Sequence, residues 1–243
     1  MGSQTQRNVE TPPATADREE ADVPDDQALG PNAASIMATE HWSLLLSRSL
    51  IWNEAMSRAT VFLTLLSASI VALALVANAT GFGSETVTLA LALLPVVLLL
   101  GIATHVRLIQ INTEEFQLVL AMNRLRHGYL AIEPGVERFI TTSHHDDEAG
   151  LATTYMLENP TPARLWLHFL VNTPTIIGTV DAALATVIVV VIGQAAEMSR
   201  GFVIASGVVT FMAAWIVLLL RQRRTLRPVS NASPMFPTPP TRS

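Results

Sequence analysis

Cysteine is absent from the 243-residue chain, which excludes disulfides, thiolate catalysis and cysteine-ligated metals together. Lysine is absent too, so all 15 basic side chains are Arg. Lysine codons are rich in adenine, and a chain heavy in Ala, Arg and Pro without Lys points to a GC-rich bacterial genome. Charged residues make up only 14% and aromatics 6%, with no basic patch interleaved with aromatics, so no nucleic-acid partner is expected. The net charge of -5 is a poor guide to partners, because much of the acid lies in the first 26 residues. No nucleophile elbow, phosphate loop, His-Glu-x-x-His helix or dinucleotide fingerprint occurs, so neither a conventional enzyme nor a cofactor is expected. Residues 1–38 hold no apolar signal region, and Gln6 replaces the Ser/Thr of a myristoylation site.

What the chain does have is apolar sequence in long runs. Half of its residues are hydrophobic, and no formal charge occurs between Arg58 and Glu85. Four spans follow, at about 60–79, 87–106, 173–196 and 201–220, each near the roughly 20 residues that cross about 30 Å of hydrocarbon as helix. Backbone groups in lipid must be satisfied within the span, which leaves helix as the choice. The expected fold is all-α: a polytopic membrane bundle of four helices arranged as two hairpins.

Orientation follows from Arg. Arg48 and Arg58 precede the first span; Arg107, Arg124, Arg126, Arg138 and Arg164 lie between the second and third; Arg221, Arg223, Arg224 and Arg227 follow the fourth. The two short turns on the other side hold only Arg200. Eleven against one predicts a multi-pass protein of a bacterial plasma membrane with both termini cytoplasmic.

Residues 1–38, rich in Pro, Asp and Glu, and residues 228–243, with five prolines, are expected to be disordered tails. Between them, 39–227 forms the membrane domain, with cytoplasmic helical segments at 39–58 and 108–165. Trp42, Leu45, Leu46, Ser49, Trp52 and Met56 keep helical spacing below span one, with Thr39 as N-cap. Leu108, Ile111, Glu115, Leu118, Met122, Leu125 and Tyr129 step by three and four below span two, and Gly128 with Glu133-Pro134-Gly135 ends that helix. The first hairpin is therefore extended into a helical stalk. Glu115 sits in its seam, either paired with Arg48 or Arg58 or helping to set the register of an oligomer.

Two groups of residues could carry chemistry. Asp181 lies about two turns inside span three, where an unpaired carboxylate is costly and often functional. Its expected partners at the same depth are His105 and Arg107. The set reads either as an ion pair that locks the two hairpins or as part of an ion path. The run His144-His145-Asp146-Asp147-Glu148 has metal-ligand chemistry. Adjacent residues on a helix diverge, however, so a helix start capped by Thr142 or Ser143, with acids in its first turn, competes with the metal reading.

The stretch Met122–Leu130, Glu133-Pro134 and Phe139–Gly150 resembles uncharacterised actinobacterial four-span membrane proteins over residues 40–220. That resemblance implies a membrane location and a shared architecture, and brings no activity. A looser likeness is to bacterial two-span effectors with long cytoplasmic helical extensions that perforate membranes. Together these features lead to a non-enzymatic pore-like or accessory membrane subunit, a homo-oligomer in the lipid bilayer. The alternatives are a scaffold that recruits a cytoplasmic protein partner through the stalk, and a metal-dependent membrane enzyme.

Overall fold

The computed structural model describes residues 29–81, 83–155, 172–230 and 233–239, with the backbone alone described over 222–230. The described chain is helical and contains no strand: α1 Ala33–Thr80, α2 Ser84–Ile132, a 3-10 turn Pro134–Phe139, α3 Glu148–Thr154, α4 Thr173–Ala195 and α5 Arg200–Ser230. Four of these, with α5 counted to Arg221, are long and apolar enough to cross a membrane. At about 1.5 Å per residue, the 23 residues of α4 cover about 34 Å, one bilayer core. The 48 residues of α1 and 49 of α2 run to more than 70 Å each at that rise, about twice what a bilayer needs.

Periodicity explains the packing. Along α1 the inward residues step by three and four from Ile51 through Ala55, Ala59, Phe62, Leu66, Ser69 and Leu73 to Ala77. That seam packs on α2, and α2 packs in turn on α4, which carries α5. Phe62 is fully buried in a core with Ala59, Leu94, Val97, Ile177 and Leu184. Outward faces stay apolar: only 11% of the most apolar stretch of α5 and 17% of that of α1 is buried within the chain. Water would penalise such a surface, and lipid does not. In lipid the helices gain little from hydrophobic burial against one another, so small residues that permit close approach carry the association.

Both tight connections depend on a left-handed residue. Gly81 (φ 71) ends α1, its N–H bonding to the Ala77 carbonyl, the usual C-terminal glycine stop. Glu197 (φ 54) does the same work after α4 without the freedom of glycine, and Met198 N–H reaches back to the Gly193 carbonyl.

Several boundaries differ from expectation. Helix α1 starts at Ala33 instead of Thr39, whose hydroxyl donates to the Ser35 carbonyl within the helix. Gly128 does not stop α2; its missing side chain makes room for the Met37 sulfur, and the helix runs to Ile132 before Pro134 breaks it. Helix α5 continues past Arg221 to Ser230, so the last residues are not all tail. Residues 1–28 of the expected N-terminal tail, and 156–165 of the middle segment, lie outside the described residues.

Candidate functional site

Asp181 is the buried charge at membrane depth. It lies eight residues into α4, about 12 Å from the helix start, and is 2% exposed. Its neighbours are fixed by glycine. A Cβ on Gly101 of α2 would overlap Asp181 Oδ1 and stand 2.7 Å from Phe62 Cε2, so the carboxyl and the Phe62 ring share the space that Gly101 leaves open. Neither carboxyl oxygen has a hydrogen-bond partner among the described residues.

One helical turn along α2, the same device recurs. A Cβ on Gly178 would approach the His105 ring to 2.8 Å, so His105 packs closely on α4, 1% exposed. His105 Nδ1 lies 2.8 Å from the Pro174 carbonyl oxygen in the first turn of α4. That oxygen can only accept, so Nδ1 carries the hydrogen and the buried Nε2 is left with a free lone pair. Asn172 caps α4 by accepting from Thr175 N–H, which fixes where Pro174 presents its carbonyl.

Arg107 does not join this pair. It donates to Glu54 through Nε and Nη2, both at 2.9 Å, and to Glu114 through Nη1 at 2.7 Å. Two residues along a helix is about 200° of rotation, so His105 facing α4 turns Arg107 toward α1. The expected clamp of Asp181 with Arg107 is therefore not formed. Glu54 also accepts from Arg58 at 2.8 Å; the bonds from Arg107 and then Arg58 hold its carboxyl down at about 2. Further along the same seam, Arg48 Nη2 donates to Glu115 at 2.8 Å, the first of the two partners expected for it. Both ion-pair sets tie α1 to α2.

The His-His-Asp-Asp-Glu run folds as a helix start and strap anchor. Asp147, not Thr142 or Ser143, caps α3 by accepting from Gly150 N–H at 2.7 Å, while Ser143 Oγ accepts from His145 N–H. Asp146 accepts from Arg124 Nε and from the backbone N–H groups of Met235 and Phe236, and its own N–H donates to the Phe236 carbonyl. Asp147 takes both the N–H and the hydroxyl of Thr238. Burial pushes both carboxyls up, but backbone bonds, with Arg124 at Asp146 and the Thr238 hydroxyl at Asp147, outweigh it and hold them below the usual range. With the carboxylates so occupied, no group of three potential metal ligands converges among the described residues.

Imidazoles complete the strap's seat. Phe236 stacks on His127 at 3.9 Å, and His144 lies 5.8 Å from His127 and 4.1 Å from His145 between ring centroids. Burial first, then the neighbouring imidazoles, lower His127 and His144. Asn123, fully buried on α2, ties the layer together: its amide donates to the His145 carbonyl, and its Oδ1 accepts from Arg126 and Thr154. Residues 233–239, expected as free tail, are therefore docked. A groove of about 370 Å³ lined by Glu137, Ser143, His144, His145, Thr153 and Thr238 lies beside them.

Sequence reasoning missed Gly101, Phe62, Asn123 and Phe236. A lone Asn within an apolar seam was the only signal among them. No family model matches this chain, and neither a curated protein nor a solved structure is similar to it.

Proposed function

We propose that this chain is a non-enzymatic, ion-handling subunit of a bacterial plasma membrane. Its four spans form two hairpins with both termini in the cytoplasm, and copies of it assemble in the bilayer. The observation that carries this reading is Asp181, a carboxyl buried at membrane depth with both oxygens unpartnered. Ionisable groups held inside membrane helices mark ion and proton paths, because hydrocarbon penalises them unless they work. The Arg excess at one end supports the orientation. The excess length of α1 and α2 over α4 supports a cytoplasmic stalk, tied by Arg107 to Glu54 and by Arg48 to Glu115. The resemblance to actinobacterial four-span proteins fits the same arrangement.

Asp181 is enclosed by α1, α2 and α4 of one subunit and does not face an open hole. The flux expected is therefore slow and saturable, unlike that of a water-filled pore. The test is ion flux across proteoliposomes holding the full chain. Flux above that of empty vesicles, lost in Asp181→Asn, supports the reading; a folded protein that passes nothing contradicts it.

A second reading, a scaffold, is favoured by one surface. Trp42, Leu46 and Leu50, spaced by four on α1, are 68%, 63% and 69% exposed and lie below the span. Three large apolar side chains on one stripe outside lipid mark a contact surface. Loss of a co-purifying cytoplasmic protein in Trp42→Ser with Leu46→Ser, with insertion intact, supports it.

A further inference from the structure

Deepening the ion-handling reading, on which it rests, we propose that Asp181 and His105 form an intramembrane proton-binding site. Asp181 holds the proton, and His105 Nε2 is the base that exchanges it toward the Arg-rich end.

The site lacks one positive charge. An ionised Asp181 would be a buried carboxylate without a hydrogen bond or a counter-charge, which hydrocarbon does not sustain. Among the described residues no cationic side chain pairs with it: α1 carries no charge between Arg58 and its end at Thr80, α4 carries none besides Asp181, and Arg107 is engaged with Glu54 and Glu114. A bound cation must therefore supply the charge.

The surroundings favour the smallest cation. A metal ion asks for several oxygens at once. Gly101 and the Phe62 ring, which lie against the Asp181 carboxyl, offer no side-chain oxygen, and Ile177 and Ala182 are buried on the same helix. A proton needs a single oxygen, and the carboxyl supplies two.

His105 gives the proton somewhere to go. Gly101 and His105 are four apart on α2, and Asp181 and Gly178 three apart on α4, so both groups lie in one interface about a helical turn apart. The Pro174 carbonyl holds the hydrogen on Nδ1 and leaves Nε2 as an acceptor. Transfer is balanced with one water as carrier: the O–H bond of Asp181 breaks as the water takes that proton, and the water gives another to Nε2, where an N–H bond forms. The carboxylate and imidazolium so produced neutralise one another until the proton moves on.

Infrared difference spectra of the full chain in lipid nanodiscs, recorded against pH, test this directly. We expect a carboxylic-acid carbonyl band that persists where exposed carboxyls are ionised. It should disappear in Asp181→Asn and shift in His105→Gln. If Asp181→Asn does not fold, isotope-labelled aspartate in the unaltered chain must shift the same band. An undiminished band in folded Asp181→Asn, or no shift on labelling, overturns the proposal. A band removed by sodium at constant pH makes the ligand a metal cation and overturns it as well. The band requires no transport, so its absence and the absence of flux are separate results.

Discussion

Oδ1 of Asp181 lies where a Cβ on Gly101 would stand. The close approach of α2 and α4 at this point therefore requires that residue 101 have no side chain. Gly101→Ala drives a methyl into Oδ1 and toward the Phe62 ring, and overpacking of this kind costs about 1–3 kcal/mol. Unfolding of the reconstituted protein should show that loss. Ala90→Gly, at a buried position away from Asp181, should leave infrared and transport behaviour at Asp181 unchanged. Equal stability of Gly101→Ala and the parent would contradict the close approach.

Arg107 should matter more than Arg58, although both touch Glu54. Arg107 also holds Glu114, so Arg107→Ala leaves two carboxylates of α1 and α2 facing one another, whereas Arg58→Ala removes only an exposed i, i+4 partner. Solvent screens such exposed pairs, so each loss is small. Thermal unfolding should therefore rank Arg107→Ala below Arg58→Ala, with Glu54→Gln in Arg107→Ala restoring part of the loss. The reverse ranking would mean that the ion pairs do not tie the helices.

The docked strap should loosen in acid. His127 and His144 favour the neutral ring when folded, so their contribution is full above about pH 6.5 and is lost as pH falls below it. Asp146 and Asp147 are held below the usual carboxylate range, so theirs is full above about pH 4 and is lost as pH falls through the depressed values. Protection of the Met235, Phe236 and Thr238 amides, corrected for intrinsic exchange, should therefore fall first between about pH 7 and pH 5. Flat protection across that window would exclude the imidazoles from holding the strap.

Asp146 is the strap's main anchor. Its carboxylate has no exposure and serves Arg124 and two backbone amides, so Asp146→Ala should strip the protection of Met235 and Phe236. Leaving those donors unmet costs about 1–3 kcal/mol locally. Phe236→Ala should weaken the strap less, because backbone bonds remain. Unchanged exchange in Asp146→Ala would refute the docking.

Hydropathy and helical stepping revealed the elements because both are written residue by residue. The four apolar runs and the pairing of Glu115 with Arg48 were legible in that way. The partners of Asp181 were not, since depth along a span says nothing of direction around it: His105 and Arg107 share a depth and face opposite helices. The strap was hidden for another reason. Its bonds run from backbone N–H groups to Asp146 and Asp147, and backbone donors leave no trace in a Pro-rich sequence. The roles of Asp146 and Asp147 were hidden likewise, because those carboxylates serve the strap and the α3 cap.

The most direct test of the ion-handling claim is proton flux under an imposed pH gradient, comparing the parent chain with Asp181→Asn at equal reconstitution. We predict saturable proton movement in the parent and the rate of empty vesicles in the variant. Equal flux in both, or none in a folded parent, would contradict it.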